Sequence, residues 1–258
     1  MKIVVTYQWA PDPAEASVGS DGKVDFSRAK SAVSDYDATA IQVGRALADA
    51  TGAALIGVSV GGPAAGTPVA TKAALSRGLD EVLVVADPTL EGAGTLTTAK
   101  VIAAVVKSLG DVALVVTGDS SIDTGARMTA PVLGGLLGWP VVTDAKSVEL
   151  AGAAITVSRV LPEGVQTLSV AGPAVIASSA DASKPKAPGM KDVMAAAKKP
   201  AAVKAPADFG IALAPEGAVK STGKVSGSSR KGVRIDTSDP AAAAAELVSA
   251  LRTTGVLS

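Results

Sequence analysis

The sequence contains neither cysteine nor histidine. Without thiols and imidazoles the chain cannot form disulfides, cysteine-ligated metal clusters, thiolate nucleophiles, Ser-His-Asp triads or imidazole proton shuttles. Any redox role must therefore be supplied by a bound cofactor. The charged residues make up 19% of the chain. They are scattered singly and show no paired-carboxylate spacing that would indicate acid–base catalysis.

Aromatic residues are also scarce, at 2% of the 258 residues, whereas 48% of the residues are hydrophobic. The core must then be built from Ala, Val, Leu and Ile, which favours close packing of helices on a sheet. Basic and acidic residues number 24 each, so the net charge gives no reason to expect nucleic acid or an anionic membrane as a partner. No apolar run approaches the ~20 residues of a membrane span, and the N-terminus begins with a strand pattern rather than a targeting peptide. We expect a cytoplasmic protein without a membrane span.

A strand pattern, a polar turn and a helical pattern follow one another between Leu114 and Thr143. Residues 114–116 suit a strand buried on both faces, and residues 117–124 are rich in Gly, Asp, Ser and Thr. Residues 128–137 carry apolar side chains at helical spacing, and Gly138 is a stop signal. A loop that enters a helix N-terminus presents backbone N–H groups to an anion, most often a phosphate. Alone the signal is weak, because the loop is neither a Walker sequence nor a GxGxxG fingerprint.

Strand and helix patterns alternate before this stretch. The predicted strands are Lys2–Tyr7, Ala54–Val60, Glu81–Val85 and Val112–Val116, and the predicted helices are Ala38–Ala50, Thr67–Arg77 and Gly94–Leu109. Strands separated by single helices predict right-handed crossovers and a parallel sheet covered on both faces. Its ligand crevice lies at the carboxyl ends of the strands. Tyr7, Gly61 and Gly118 follow such ends, so the loops after three strands can converge on one site.

After Pro140 the alternation of strands and helices gives way to consecutive strand patterns. Short antiparallel strands are predicted at Ser147–Leu150, Ala154–Val160 and Val165–Val170, and a return to the main sheet at Val175–Ser178. Residues 180–206 are rich in Lys, Pro and Ala, and only Met190–Ala197 has a helical pattern. A Gly/Ser-rich stretch at 222–230 predicts an extended arm before a final helix at Ala241–Leu251. The basic loop and the arm suggest docking to a partner, and solvated linkers are the alternative.

Several short motifs occur in a characteristic order along the chain. They are Ala10–Pro13, Ser34–Asp37, Gly118–Asp123 followed by Leu137–Pro140, Lys184–Lys186 followed by Met194–Pro200, and Arg230–Gly232. In this order they resemble the beta subunit of electron-transfer flavoprotein over essentially the whole chain. The resemblance implies an α/β fold: a Rossmann-like three-layer sandwich with a mainly parallel sheet, a small antiparallel addition and an extended C-terminal arm. It implies a nucleotide-binding domain at 1–200, with a recognition loop at 182–196, and an arm and helix at 201–258 that pack on the alpha subunit.

The resemblance also implies a function. The chain is expected to be an electron-carrier subunit, not an enzyme, of a heterodimer with the alpha subunit. It would pass electrons from flavoprotein dehydrogenases such as acyl-CoA dehydrogenase, through FAD shared with the alpha subunit, to a downstream acceptor. AMP or a second FAD is expected in the beta-subunit nucleotide site. The alternative is a stand-alone adenine-nucleotide-binding regulatory protein of similar fold. A nucleotide-using hydrolase or transferase is the weakest reading, because the chain has no imidazole, thiol or phosphate-loop lysine.

Functional residues are carried over from the resemblance by position. The expected cofactor-binding residues are Thr6, Ser34, Tyr36, Val60, Gly118, Asp119, Ser120, Ser121, Ile122, Asp123, Thr124, Gly125, Arg127 and Thr129, and the expected partner-docking residues are Lys184, Pro185, Lys186 and Met190. Tyr36 falls where the family has an aromatic residue near the flavin. The side-chain amides usual in this loop are absent, so phosphate is expected on backbone N–H groups, hydroxyls and Arg127. Met190 falls at the apolar anchor of the recognition loop, and a flexible thioether suits several partners.

Overall fold

A computed structural model describes residues 1–152, 154–213 and 232–257. The strands are β1 Lys2–Thr6, β2 Trp9–Pro11, β3 Ser17–Val18, β4 Val24–Asp25, β5 Ser31–Val33, β6 Ala54–Gly61, β7 Glu81–Ala86, β8 Val112–Gly118, β9 Val141–Ala151, β10 Ala154–Leu161, β11 Gly164–Ala171, β12 Ala174–Ser178 and β13 Ala201–Lys204. The helices are α1 Asp35–Thr51, α2 Pro68–Leu75, α3 Thr95–Leu109, α4 Thr129–Leu137, α5 Met190–Ala196 and α6 Pro240–Thr253. The predicted arm at 222–230 lies outside the described residues, as do Arg230 and Lys231 of the last motif. The chain divides into two compact units, Met1–Lys220 and Ser221–Ser258.

The first unit is built on a nine-stranded sheet with the order β11-β10-β9-β12-β8-β1-β6-β7-β13. Neighbouring strands pair in parallel along β9, β12, β8, β1, β6, β7 and β13. Strands β10 and β11 add an antiparallel hairpin beyond β9. Helices α1 and α2 pack on one face, and α3 and α4 pack on the other. The predicted fold class, a Rossmann-like α/β sandwich with a mainly parallel sheet, is confirmed.

Small residues allow the helices to approach the sheet closely. In β1 the side chains of Ile3 and Val5 face one core and Val4 faces the other, and all are fully buried. A Cβ added to Gly44 of α1 would lie 2.6 Å from a methyl group of Val5 and 2.9 Å from one of Leu55. A larger residue at this position would force the helix off the sheet. The core is thus compact although the chain has few aromatic residues.

Strand β9 differs from the predicted short strand at Ser147–Leu150. It begins at Val141, and its first half pairs in parallel with β12, whereas its second half pairs in antiparallel fashion with β10. Both ladders shift register where the strand bends, and Asp144 there has a φ of 57°. Extra residues in one strand of a ladder bend it and redirect its pairing. One strand therefore joins the parallel sheet to the antiparallel hairpin.

The Lys/Pro/Ala-rich region contains one strand that its composition does not indicate. Strand β13 adds to the sheet edge by pairing with β7. Just before it, the ammonium of Lys199 donates a hydrogen bond to the carbonyl of Leu79 at 2.5 Å. Helix α5 closely matches the predicted helix at Met190–Ala197.

In the second unit, α6 begins one residue before the predicted helix at Ala241–Leu251. Pro240 is its first residue, and the Asp239 carboxylate accepts hydrogen bonds from the N–H groups of Ala241, at 2.9 Å, and Ala242. None of its residues is buried, and Leu247 and Val248 are exposed. None of the helices in the described ranges is long and apolar enough to cross a membrane.

Candidate nucleotide-binding site

A cavity of about 490 Å³ lies at the carboxyl ends of the parallel strands. The loops after β1, β6 and β8 all contribute to its wall, as does the start of α4. Parallel strands end on the same edge of a sheet, so the loops that follow them meet there. A further loop, Glu91–Thr95 between β7 and α3, closes another side. The sequence predicted the convergence of three loops but not this fourth one.

Most of the residues expected to bind a cofactor line this cavity. They are Thr6, Val60, Gly118, Asp119, Ser120, Ser121, Asp123, Thr124, Arg127 and Thr129. The remaining residues, Ser34, Tyr36, Ile122 and Gly125, are not part of its wall. Ser34 occupies the N-cap position of α1, but its buried hydroxyl has no hydrogen-bond partner. Tyr36 packs beside Gly118, as a Cβ added to this glycine would lie 2.9 Å from the Cβ of Tyr36.

The loop after β8 is held by its own polar side chains. The hydroxyls of Ser121 and Thr124 are hydrogen-bonded at 2.9 Å, and the N–H of Gly125 donates to the Ser121 hydroxyl at 3.2 Å. Met128 occupies the N-cap position of α4 and gives no side-chain cap. In the first turn of a helix the N–H groups have no partner within the helix. Thr129 and Ala130 thus present N–H groups at the cavity wall, whereas the next residue, Pro131, has none.

Arg127 is held by carboxylates. Its guanidinium forms an ion pair with Asp119 at 2.5 Å and a second with Asp144 of β9. The hydrogen bond to Asp119 is the main reason why the pKa of Arg127 is raised, and Asp144 acts in the same direction. Arg127 and Asp144 both have positive φ angles, 53° and 57°. The arginine that the sequence offered as a phosphate ligand is therefore already neutralised by two acids.

Asp37 lies in the cavity wall but is not among the residues expected from the family resemblance, although it ends the Ser34–Asp37 motif. Its side chain is buried and accepts a hydrogen bond from the N–H of Gln8 at 2.8 Å. Burial raises the pKa of Asp37 to about 7, against the opposing effect of hydrogen bonds from the backbone N–H groups of Gln8 and Gly118, and the charge of Asp123 raises it further. An acid in the first helical turn after a strand-end loop was the available sequence signal.

Gln8 and Glu91 are further wall residues that were not predicted. The Gln8 side-chain amide donates to the Asp123 carboxylate at 2.6 Å, so this residue links the loops after β1 and β8. The Glu91 carboxylate fills the space beside Gly62, where an added Cβ would lie 1.6 Å from one of its oxygens. Acidic side chains thus outnumber the basic ones in the wall of this cavity.

A family model described as the electron transfer flavoprotein domain matches residues 21–209. The match covers more than half of the chain, including most of the cavity wall and α5. The chain belongs to the electron transfer flavoprotein domain family. Its function is accordingly of the electron-transfer type, in which a flavin carries the electrons.

The segment expected to be the recognition loop of this electron transfer flavoprotein domain has an exposed apolar surface. Met190 is 77% exposed and Met194 66% exposed, both on α5, and Val193 between them is also exposed. Ala196 is buried and attaches the helix to the core. Lys184 and Lys186 are exposed and Pro185 is half-buried. Their role in docking stays a prediction.

Across the described ranges of this electron transfer flavoprotein domain, no group of three or more acidic side chains is arranged to hold a metal ion. The carboxylates of the cavity wall are engaged in other ways: Asp119 pairs with Arg127, Asp123 accepts from Gln8, and Asp37 accepts from backbone N–H groups. Because Arg127 is paired with two acids, the negative charge of a phosphate must be met by N–H groups and hydroxyls.

Proposed function

We propose that the chain is the beta-type subunit of a cytoplasmic, heterodimeric electron-transfer flavoprotein. It carries electrons from flavoprotein dehydrogenases, such as acyl-CoA dehydrogenase, through FAD bound with the alpha subunit to a downstream acceptor. It performs no bond-making chemistry of its own. The observation that carries the proposal is that most of the residues assigned from the beta-subunit resemblance surround one cavity at the strand ends.

The cavity fits an adenine nucleotide. Its volume of about 490 Å³ lies within the range of about 300–1,000 Å³ that is usual for small-molecule sites. The hydroxyls of Ser120 and Thr129 and the first N–H groups of α4 would hold a phosphate. A cavity of about 490 Å³ is in better proportion to a mononucleotide than to the dinucleotide FAD, which adds a flavin and a second phosphate. We therefore propose AMP rather than a second FAD as the occupant.

The other features of the chain suit an electron carrier. Flavin supplies, when bound, the redox chemistry that no side chain of this protein can provide. The side chains contribute positions and surfaces: Met190 and Met194 offer an apolar patch to a donor enzyme, and α6 presents Leu247 and Val248 to the alpha subunit. Exposed apolar side chains grouped on one surface are typical of protein interaction sites.

Co-expression with the cognate alpha subunit tests the proposal. We expect a yellow heterodimer with a flavin absorption band, and nucleotide release followed by mass spectrometry should give one FAD and one AMP. Two FAD per heterodimer would contradict the assignment of AMP but not that of the subunit. A nucleotide-binding monomer or homodimer without flavin would support the stand-alone regulatory protein instead.

Replacement of Met190 tests the docking surface. The M190A variant should keep the heterodimer and its flavin, while electron transfer from the dehydrogenase slows at least severalfold because an exposed anchor is lost. Val165 of β11 provides the control, since it is 73% exposed but lies outside the recognition loop, and V165A should transfer electrons at the normal rate. Equal rates for wild type and M190A would remove this residue from the interface.

A further inference from the structure

Asp37 is a buried acid without a basic partner. Only 7% of the residue is accessible to solvent, and among the described residues no lysine or arginine forms an ion pair with it. Its carboxyl group instead lies between two strand-end loops, where it accepts from the N–H groups of Gln8 and Gly118. Two N–H donors compensate only part of the cost of removing a carboxylate from water. The charge on Asp37 is therefore easily lost.

The surroundings of Asp37 add negative charge. The ionisable side chains near it in the wall are Tyr7 after β1, Glu91 after β7, and Asp119, Asp123 and Arg127 after β8, with Asp35 and Tyr36 on its own helix. The pKa of Tyr7 is raised by burial, so this phenol is neutral. Arg127 is paired with Asp119 and Asp144, and the charge of Asp123 acts directly on Asp37. No free cation among these groups favours the ionised form of Asp37.

Occupation of the cavity changes the environment of Asp37 in one direction. A ligand that fills the cavity removes water from the wall, and the negative charge of its phosphate adds to that of Asp123. Both effects disfavour a carboxylate and favour a neutral carboxylic acid. We propose that an anionic nucleotide enters this cavity together with one proton, which passes from solvent to the Asp37 carboxylate. This inference rests on the nucleotide site proposed above and adds its dependence on pH.

Uptake of a proton makes the affinity of the cavity for the nucleotide depend on pH. Because burial already places the pKa of Asp37 at about 7, a further rise in the complex puts the sensitive range at and above neutral pH. If one proton is taken up, the dissociation constant rises by up to about tenfold per pH unit between the pKa values of the free and bound states. Nucleotide binding is then tightest at slightly acidic pH and weakens as the pH rises.

Calorimetric titration of the nucleotide-free full chain with AMP tests the proton uptake. Measurements at pH 7.5 in two buffers of different ionisation enthalpy give the number of protons bound. At this pH the phosphate of AMP is already ionised, because its second pKa is about 6. We expect an uptake of up to about three-quarters of a proton, because an acid with a pKa of about 7 is already about one-quarter protonated at pH 7.5. The dissociation constant should rise severalfold to about tenfold from pH 7 to pH 8.5. Adenosine, which has no phosphate, should take up fewer protons.

Two variants test whether Asp37 is the group that takes up the proton. Asp37→Asn removes the titrating acid, so AMP binding should lose its proton uptake and should be at least as tight as in the wild type at pH 8.5. Asp35→Asn makes the same charge change in the same helical turn at an exposed position, and should keep the wild-type uptake. If Asp37→Asn fails to fold, the two-buffer measurement on the wild type still tests the proposal, because absence of proton uptake would overturn it.

The outcomes separate this inference from the proposed function. AMP binding without proton uptake, or uptake that Asp37→Asn retains, would refute the role of Asp37 and leave the nucleotide site intact. Absence of AMP binding at every pH would refute the nucleotide site, and the coupled proton with it.

Discussion

The neighbouring glycines of α4 allow the packing between this helix and the sheet to be tested. A Cβ added to Gly134 would lie 2.0 Å from a methyl group of Val141 and 3.1 Å from the carbonyl oxygen of Trp139. A Cβ added to Gly135 would meet no atom within 4 Å. The two positions are neighbours in one helix, with Gly134 buried and Gly135 exposed. Their alanine variants share the change in helix propensity and differ in the space available to the added methyl group.

The expected effects have opposite signs. Replacement of glycine by alanine inside a helix stabilises the fold by about 0.8–1 kcal/mol when nothing else changes. Gly135→Ala should gain about this amount. At Gly134 the helix or Val141 must shift, and overpacking of this kind costs about 1–3 kcal/mol. Since the predicted contact is far below van der Waals separation, we expect the upper half of that range and a net loss of about 1–2 kcal/mol for Gly134→Ala.

Urea unfolding of the full chain measures both variants. The midpoint should fall for Gly134→Ala and rise slightly for Gly135→Ala, with unchanged slopes if the compactness of the states is unchanged. In thermal unfolding, each kcal/mol corresponds to a shift of about 2–4 °C for a chain of this size. Equal stability of the two variants would refute the argument, because it would mean that the methyl group at Gly134 is accommodated without cost.

Further predictions concern the site, the pH dependence of stability and α6. Gly118→Ala should weaken AMP binding at least tenfold, because the added Cβ would lie 2.6 Å from an Asp37 oxygen. Gly135→Ala, which lies outside the cavity wall and whose Cβ would meet nothing within 4 Å, should bind normally in the same titration. Since the folded-state pKa of Asp37, about 7, exceeds its ordinary value of 3.8, its contribution to the free energy of unfolding should fall as the pH rises from about 4 to about 7, by at most about 1.4 kcal/mol per pH unit. Asp37→Asn should flatten urea midpoints across this window, and an unchanged pH profile would contradict the buried acid. Asp239→Ala should lower the stability of α6 by about 1 kcal/mol, because the helix loses its N-cap. Circular dichroism should then show lower helicity, and unaltered helicity would contradict the role of Asp239 as a cap.

Local sequence patterns determined the alternation of strands and helices. A strand buried on both faces is a continuous apolar run, as at Leu114–Val116, and a helix start is marked by residues such as Asp239 and Pro240 that satisfy or lack the first N–H groups. Both signals depend on residues close in the chain. The position of the cavity followed as well, because strands of one direction end at one edge.

Tertiary structure decided the chemistry of the cavity. Asp37 is an ordinary helix-start acid in the sequence, and it becomes a titrating group near neutral pH only because the loops after β1 and β8 bury it. Arg127 forms an ion pair with Asp144, which the bend of β9 places beside the arginine. Local periodicity carries no information about such contacts. The elements and the position of the cavity therefore followed from the sequence, whereas burial and ion pairing, which set the charges of its wall, arose only when distant segments met.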